Sequence, residues 1–472
     1  MSDAPDRDNL VDLAAARFGG AVVATNDEFF AHASRMLLLE PPIVRPGVYT
    51  DHGVWTDGWE TRRRRRLPGS DWAIVRLGAP GVVRAVIVDT SHFTGNAPES
   101  VELLGAALDG YPSPAELADP AVEWVPIVTR TPVESDAVNS LAVVDAQGQR
   151  ITHAKLVIHP DGGVARLRLL GEVVADPRRF DPVTVDLGAA ELGGVVIGCS
   201  DMHYGDRHSL NHPGEARVMG EGWETRRRRG PGHDWALVRL AAVGTIAVAE
   251  IDTRHFKGNA PREVALWGRY APEVPDEQLA AGALDEDAGW LPLLPSTRVQ
   301  PDTRHLFDLE PAAAPDGLTH VRVDAVPDGG LARLRLWGAP VPAGREALGV
   351  SWLNALPAGT AAAELRACCA SSAWAAAMVA RRPFDGLPGL LAAAREQWSG
   401  LGPDDWREAF AAHPRIGERG TAREAAEQAG ALAAADAVTS ALASGNIVYE
   451  DTFGYVYLVR AAGRTAEEML AL

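Results

Sequence analysis

Asp89-Thr90-Ser91-His92-Phe93-Thr94-Gly95-Asn96-Ala97-Pro98 returns 163 residues later as Asp252-Thr253-Arg254-His255-Phe256-Lys257-Gly258-Asn259-Ala260-Pro261. Gly58-Trp59-Glu60-Thr61, followed by Arg62 to Arg66, returns as Gly222-Trp223-Glu224-Thr225, followed by Arg226 to Arg229. Asp71-Trp72-Ala73 returns as Asp234-Trp235-Ala236, and Asp161-Gly162-Gly163 returns as Asp328-Gly329-Gly330. A near-constant offset across four blocks means that one whole domain was duplicated in tandem, since solenoid units repeat every ~20–50 residues. Each copy holds short runs rich in Val, Ile and Leu, such as WAIVRL, GVVRAVIVDTSHF and HAKLVIH, bounded by Gly, Pro and Asp. That pattern predicts many antiparallel strands, as in a sandwich or jelly roll. Pro-rich and acidic stretches at 175–187 and 339–345 read as linkers. Beyond Arg345 the chain becomes alanine-rich with apolar residues at helical spacing. The expected architecture is therefore multidomain β plus α: sandwiches at 18–174 and 188–340, then an all-α domain at 345–472.

The length of 472 residues fits about three domains. With 46% hydrophobic and 23% charged residues, the composition is that of folded protein. A net charge of −18 repels phosphate backbones and argues against a nucleic-acid partner. Three cysteines, Cys199, Cys368 and Cys369, cannot build a disulfide framework and point to the cytoplasm. The acidic N-terminus has no apolar core of a secretory signal, and no run of eighteen apolar residues predicts a membrane span.

The arginine runs admit three readings: a solvated edge, a nucleic-acid patch, or a site. The acidic composition weakens the second, and recurrence behind the same Gly-Trp-Glu-Thr weakens the first. On a strand, alternate side chains share a face, which groups Glu60, Arg62 and Arg64, and likewise Glu224, Arg226 and Arg228. Such a face could hold a carboxylate bidentately, with the glutamate as an acid or base. His92 and His255 stand where a strand runs into a loop, placed either as acid–base groups or as satisfied structural residues. Asn96 and Asn259 are either turn formers or substrate ligands. No dense metal-ligand spacing occurs, so neither metal nor cofactor is expected. Arg254 and Lys257 replace Ser91 and Thr94 and tilt the charge balance towards copy two for an anionic substrate.

These blocks carry a resemblance. With Gly19-Gly20, Asn26-Asp27-Glu28, Leu192-Gly193-Gly194 and Ser200-Asp201-x-His203, residues of about 18 to 340 resemble the allantoicase family. The resemblance implies two galactose-binding-like jelly rolls and hydrolysis of allantoate to ureidoglycolate and urea. Arginines would orient the carboxylate of that small ureide, while His or Glu would activate water or protonate urea. The last region contains His413-Pro414-Arg415-Ile416-Gly417-Glu418, Glu427-Gln428 and Phe453-Gly454-Tyr455. It is similar to 2-oxo-4-hydroxy-4-carboxy-5-ureidoimidazoline (OHCU) decarboxylase, an all-helical, cofactor-free carboxy-lyase. The resemblance puts that family's acid–base pair on His413 and Glu427. It also implies a further helix with a basic residue beyond Leu472, without which weak decarboxylation is expected. Three other readings stay open at this stage: a bifunctional enzyme whose working decarboxylase forms allantoin, a tail with a purely structural role, and a non-catalytic ligand-binding pair of sandwiches. A homo-oligomer is compatible with all of them.

Overall fold

Valine, isoleucine and alanine dominate Asp71–Asp89, and this stretch forms one strand of 19 residues that organises the first sandwich. The first half pairs antiparallel with Ala21–Thr25 and Ile151–His159, and the second half with Val138–Leu141 and Arg166–Val173. The exchange of partners falls around Gly78-Ala79-Pro80-Gly81, where a Cβ at Gly81 would lie 2.2 Å from the Glu172 carbonyl oxygen. WAIVRL and GVVRAVIVD, separate strands by sequence, are thus one bent strand serving two sets of partners, as when a strand switches sheets. Asp234–Asp252 repeats this arrangement with Val195–Cys199, Leu318–Val326, Arg304–Asp308 and Arg333–Pro340. The computed structural model describes residues 7–108, 110–144, 148–180, 183–310, 314, 316–412, 436–455, 457 and 464–471.

Each copy has its own core. Trp59, Ala73, Val75 and Leu156 are buried in the first, and Trp223, Ala236, Val238 and Val323 in the second. Burial alternates with period 2 along stretches such as Leu240–Ala247, as a strand with one face on a core requires, while Leu318–Ala325 is buried on both faces. One buried strand residue of the first copy is a histidine. His153 is 1% exposed, and its Nδ1 lies 2.9 Å from Thr152 Oγ1. Burial, reinforced by Arg76, pushes its pKa down to about 4. The native state therefore favours the neutral ring, so this contribution is intact above pH 6.5 and declines as pH falls towards 4. At pH 5 the loss should be about 2 kcal/mol relative to pH 7.5. Urea unfolding at the two pH values checks it: the wild type should lose about that much more than His153→Gln, and equal losses would refute the assignment.

The alanine-rich region opens with the helix Pro342–Ala355, with Pro342 in its first turn. Leu348 of this helix packs on the second core, and the Val341 N–H donates to the Val243 carbonyl at 3.0 Å. The compact unit consequently runs to Leu356, and a second unit begins at Pro357. The expected start of the helical domain, residue 345, falls inside a helix that belongs to the sandwich unit. The second unit contains helices Ala358–Cys368, Ser372–Ala380, Gly386–Ser399, Pro403–Ala411, Asp436–Phe453 and Ala466–Leu470. The Ser371 side chain caps the second of these by accepting the Trp374 N–H. Among the described residues, no helix is long and apolar enough to cross a membrane. His413 and Glu427 lie outside the described residues.

Candidate active site

The repeated blocks meet at one end of each sandwich. Trp59 is fully buried, and its indole N–H donates to the Asp27 carbonyl at 2.8 Å. Trp59–Glu60 pairs with Gly163–Val164, which brings Asp161-Gly162-Gly163 alongside. Gly162 has φ 141°, and a Cβ there would lie 2.7 Å from the Asn96 carbonyl oxygen; a Cβ on Gly163 would lie 2.1 Å from the Phe93 ring. Both glycines are needed for the Phe93–Pro98 turn to lie against this strand. Asn96 then donates from Nδ2 to Glu60 Oε1 at 2.8 Å, while Thr56 donates to Glu60 Oε2 at 2.9 Å. Copy two holds Glu224 against Asn259 in the same way.

The arginines part company after Glu60. Sheet pairing stops there, and the backbone no longer points Arg62 and Arg64 one way. Arg62 is 62% exposed and binds Asp27 Oδ2 through Nε at 2.7 Å, while its backbone N–H donates to Asp27 Oδ1. The guanidinium also lies 5.3 Å from the Phe29 ring centroid. Arg64 turns inward to Asp71 and the Ser70 carbonyl, and its N–H donates to Asp161 at 2.7 Å. Arg226 on Asp201, and Arg228 on Asp234 and Asp328, repeat the pattern. The expected fork of two guanidiniums is therefore one exposed arginine and one structural arginine per copy. Burial alone would raise the Asp27 carboxyl; bonds from the Phe29 N–H and from Arg62 outweigh it and hold it below the usual carboxylate range. Asp201 is held down likewise, with bonds from Arg226 and the His203 N–H outweighing burial.

The histidines at the strand ends are tied down. His92 and His255 have φ of 72° and 73°, a left-handed conformation uncommon for non-glycine residues. Their N–H groups donate to Asp136 and Asp302, and their Nε2 atoms lie 3.3 and 2.9 Å from the Pro42 and Ala216 carbonyls. Strand alternation does not reach them, because the strands end at Asp89 and Asp252. Thr90, the first residue past the strand, is fully buried and donates to the Glu134 carbonyl.

A cavity of about 560 Å³ opens beside Arg62, lined also by Asn26, Asp27, Glu28, Phe29, His32, Arg35, Thr50, His52, Trp55 and Thr56. Much of it comes from an insertion. Pro42 and Asp57 correspond to Ala216 and Glu221, so residues 43–56 stand where copy two has only 217–220. The insertion forms a hairpin, Tyr49–Thr50 against Gly53–Val54, with Gly53 at φ 139° above the Phe30 ring. His52 at its tip stacks on Phe29 with centroids 4.2 Å apart. Trp55 lies between the guanidiniums of Arg35 and Arg45, at 4.9 and 4.6 Å. Sequence reasoning passed over these residues because they lie outside the repeated blocks. The available signal was the unequal spacing, Asp27 to Trp59 against Asp201 to Trp223. Among the described residues, no three or more His, Cys, Asp or Glu side chains gather as metal ligands would.

Comparison with known proteins agrees with the duplicated fold. The allantoicase-repeat family profile matches residues 11–174 and 185–341, and the OHCU decarboxylase profile matches 354–472. A probable allantoicase of Nocardia farcinica is 48% identical over 329 residues, covering 70% of this chain and 94% of that protein. One from Streptomyces coelicolor is 45% identical, covering 69% and 85%. A crystal structure of allantoicase from Saccharomyces cerevisiae superposes with a TM-score of 0.58 at 31% identity, covering 70% of this chain and 93% of that one. Two duplicated sandwiches, the converging blocks and these matches place the chain in the allantoicase family, with an OHCU decarboxylase domain behind the second repeat.

Proposed function

We propose that the chain hydrolyses allantoate to ureidoglycolate and urea. The observation that carries this reading is the exposed Arg62, which borders a cavity at the end of a sandwich where the repeated blocks converge. Arg62 takes the substrate carboxylate, and Glu60 with Asn96 presents acceptor and donor atoms to a ureido group. Arg226, Glu224 and Asn259 form the matching cluster of copy two. Arg64 and Arg228 support these clusters from behind, and His92 and His255 shape the loops that carry Asn96 and Asn259. The −18 charge and the three cysteines support a cytoplasmic enzyme of a small ureide, without a nucleic-acid partner. Release of urea from allantoate, measured with purified full-length protein, tests the reading; no release would reject it.

The sandwich unit should suffice for this reaction. A fragment of residues 1–356 is expected to fold and to keep the hydrolase turnover within about two-fold, because one compact unit ends at Leu356. Ending the fragment at 340 instead strips Leu348 from the second core and should lower stability. Loss of hydrolysis from the 1–356 fragment would show that the helical domain is integral to it. The family match of residues 354–472 supports a second, carboxy-lyase activity, for which we assign His413 and Glu427 as the acid–base pair. His413→Ala is expected to abolish any decarboxylation of OHCU generated in situ, while urea release from allantoate persists.

A further inference from the structure

We infer that hydrolysis is carried out by the first repeat alone, with His32 as its catalytic acid–base group and Glu28 as the positioning residue that holds it. The inference rests on the hydrolase reading above and adds to it which copy works and which histidine. The two repeats are close structural copies, so each difference at the site is an internal comparison. Ala31 bridges to Glu60 as Gly205 does to Glu224, and the Trp59 and Trp223 indoles donate to the Asp27 and Asp201 carbonyls. This register makes Met202 the counterpart of Glu28 and Asp206 the counterpart of His32. Asp206 caps a short 3-10 helix by accepting the His208 N–H. The acid–base pair therefore exists in copy one only, and so does the hairpin that walls the cavity there.

The geometry suits proton transfer. Glu28 Oε1 lies 3.4 Å from His32 Nδ1, while Glu28 Oε2 accepts the Ala33 N–H at 2.9 Å. The carboxylate is fixed by the backbone and stands within ion-pair distance of Nδ1, which leaves Nε2 as the working atom. His32 is 78% exposed at the side chain and lines the same cavity as Arg62. His92 lacks this freedom, since its Nε2 faces the Pro42 carbonyl.

Atoms balance with water as the only co-reactant. Water oxygen bonds to the carbon that bears the carboxylate, and the bond from that carbon to one ureido nitrogen breaks. The electron pair of that bond stays on the nitrogen. His32 takes a proton from the attacking water and returns it to the departing urea nitrogen, ending in its starting state.

The test uses the full chain and allantoate. His32→Ala should lower kcat by about 10²–10⁴-fold with KM changed by only a few fold. Added imidazole should restore activity at least ten-fold, a rescue that a structural role would not show. Glu28→Gln should lower kcat about ten-fold with KM unchanged, and Met202→Ala in copy two should change nothing. Wild-type kcat in His32→Ala, or a loss that imidazole does not rescue, overturns the inference; so does a rescue confined to His52→Ala. If the wild-type chain itself releases no urea, it is the hydrolase reading that fails.

Discussion

Arg62→Ala is expected to lower kcat/KM for allantoate by roughly 10- to 100-fold, because a charge-assisted contact to a carboxylate is worth about 1.5–3 kcal/mol. Arg226→Ala is expected to cost a few fold at most. Both arginines are exposed and each pairs with its aspartate through Nε, so the guanidiniums alone do not separate the copies. The surroundings do: Arg62 borders the cavity walled by the hairpin, and in copy two residues 217–220 are too few to build such a wall. Arg64→Ala provides the contrast. Its side chain serves the buried Asp71, so its loss should appear as lower stability more than as altered KM. Steady-state kinetics of the three variants decide the matter. Equal losses in Arg62→Ala and Arg226→Ala would show that both copies bind substrate, against the assignment to one.

The duplication and both β layers were legible because strand alternation and glycine placement are local, and the repeats printed them twice. The two Asp-Gly-Gly blocks illustrate this: Gly163 and Gly330 lie against Phe93 and Phe256, so neither copy can tolerate a side chain there. The direction of the arginines was not legible. Period-2 reasoning holds only while a strand is paired, and pairing stops at Glu60, after which individual aspartates decide where each guanidinium goes. The leaning towards copy two rests on Arg254 and Lys257, both of which have acidic neighbours. Arg254 pairs with Asp252 and Glu215, and Lys257 lies 3.8 Å from Asp302. The cavity was hidden for the opposite reason to the fold. A site that distinguishes two repeats is built from residues that do not repeat, such as Glu28, His32 and His52.

Asp57→Ala is expected to destabilise the sandwich unit by about 3–5 kcal/mol, while Glu221→Ala at the matching position should cost about 1 kcal/mol or less. Asp57 is 8% exposed and joins three groups: Arg166 Nη2 at 2.9 Å, Arg35 Nη2 at 2.6 Å and the Ile43 N–H at 3.0 Å. Burial would raise its carboxyl, but bonds from Arg166, the Ile43 N–H and Arg35 outweigh this and hold it below the ordinary range. Removing it strands the Arg166 guanidinium, 2% exposed, without its counter-charge, the situation in which a broken buried pair is most costly. Arg166 and its counterpart Arg333 both donate to backbone carbonyls, of Glu40, Asp57 and Ala165 in one case and of Gly214, Ser209, Glu221 and Ala332 in the other. Among the described residues, only Arg166 of the two has a carboxylate hydrogen bond as well. The Glu221 carboxylate turns away to Arg17 and Arg217, nearer the surface. Urea unfolding of the two variants should therefore differ by at least about 2 kcal/mol. The loss at Asp57 should also reach the active site, because Ile43 opens the insertion that carries His52 and Arg35 stacks on Trp55. Asp57→Ala should thus raise KM for allantoate under conditions where the protein is still folded, and Glu221→Ala should not. Equal destabilisation by the two substitutions would mean that the buried carboxylate is not what holds the first repeat's insertion in place.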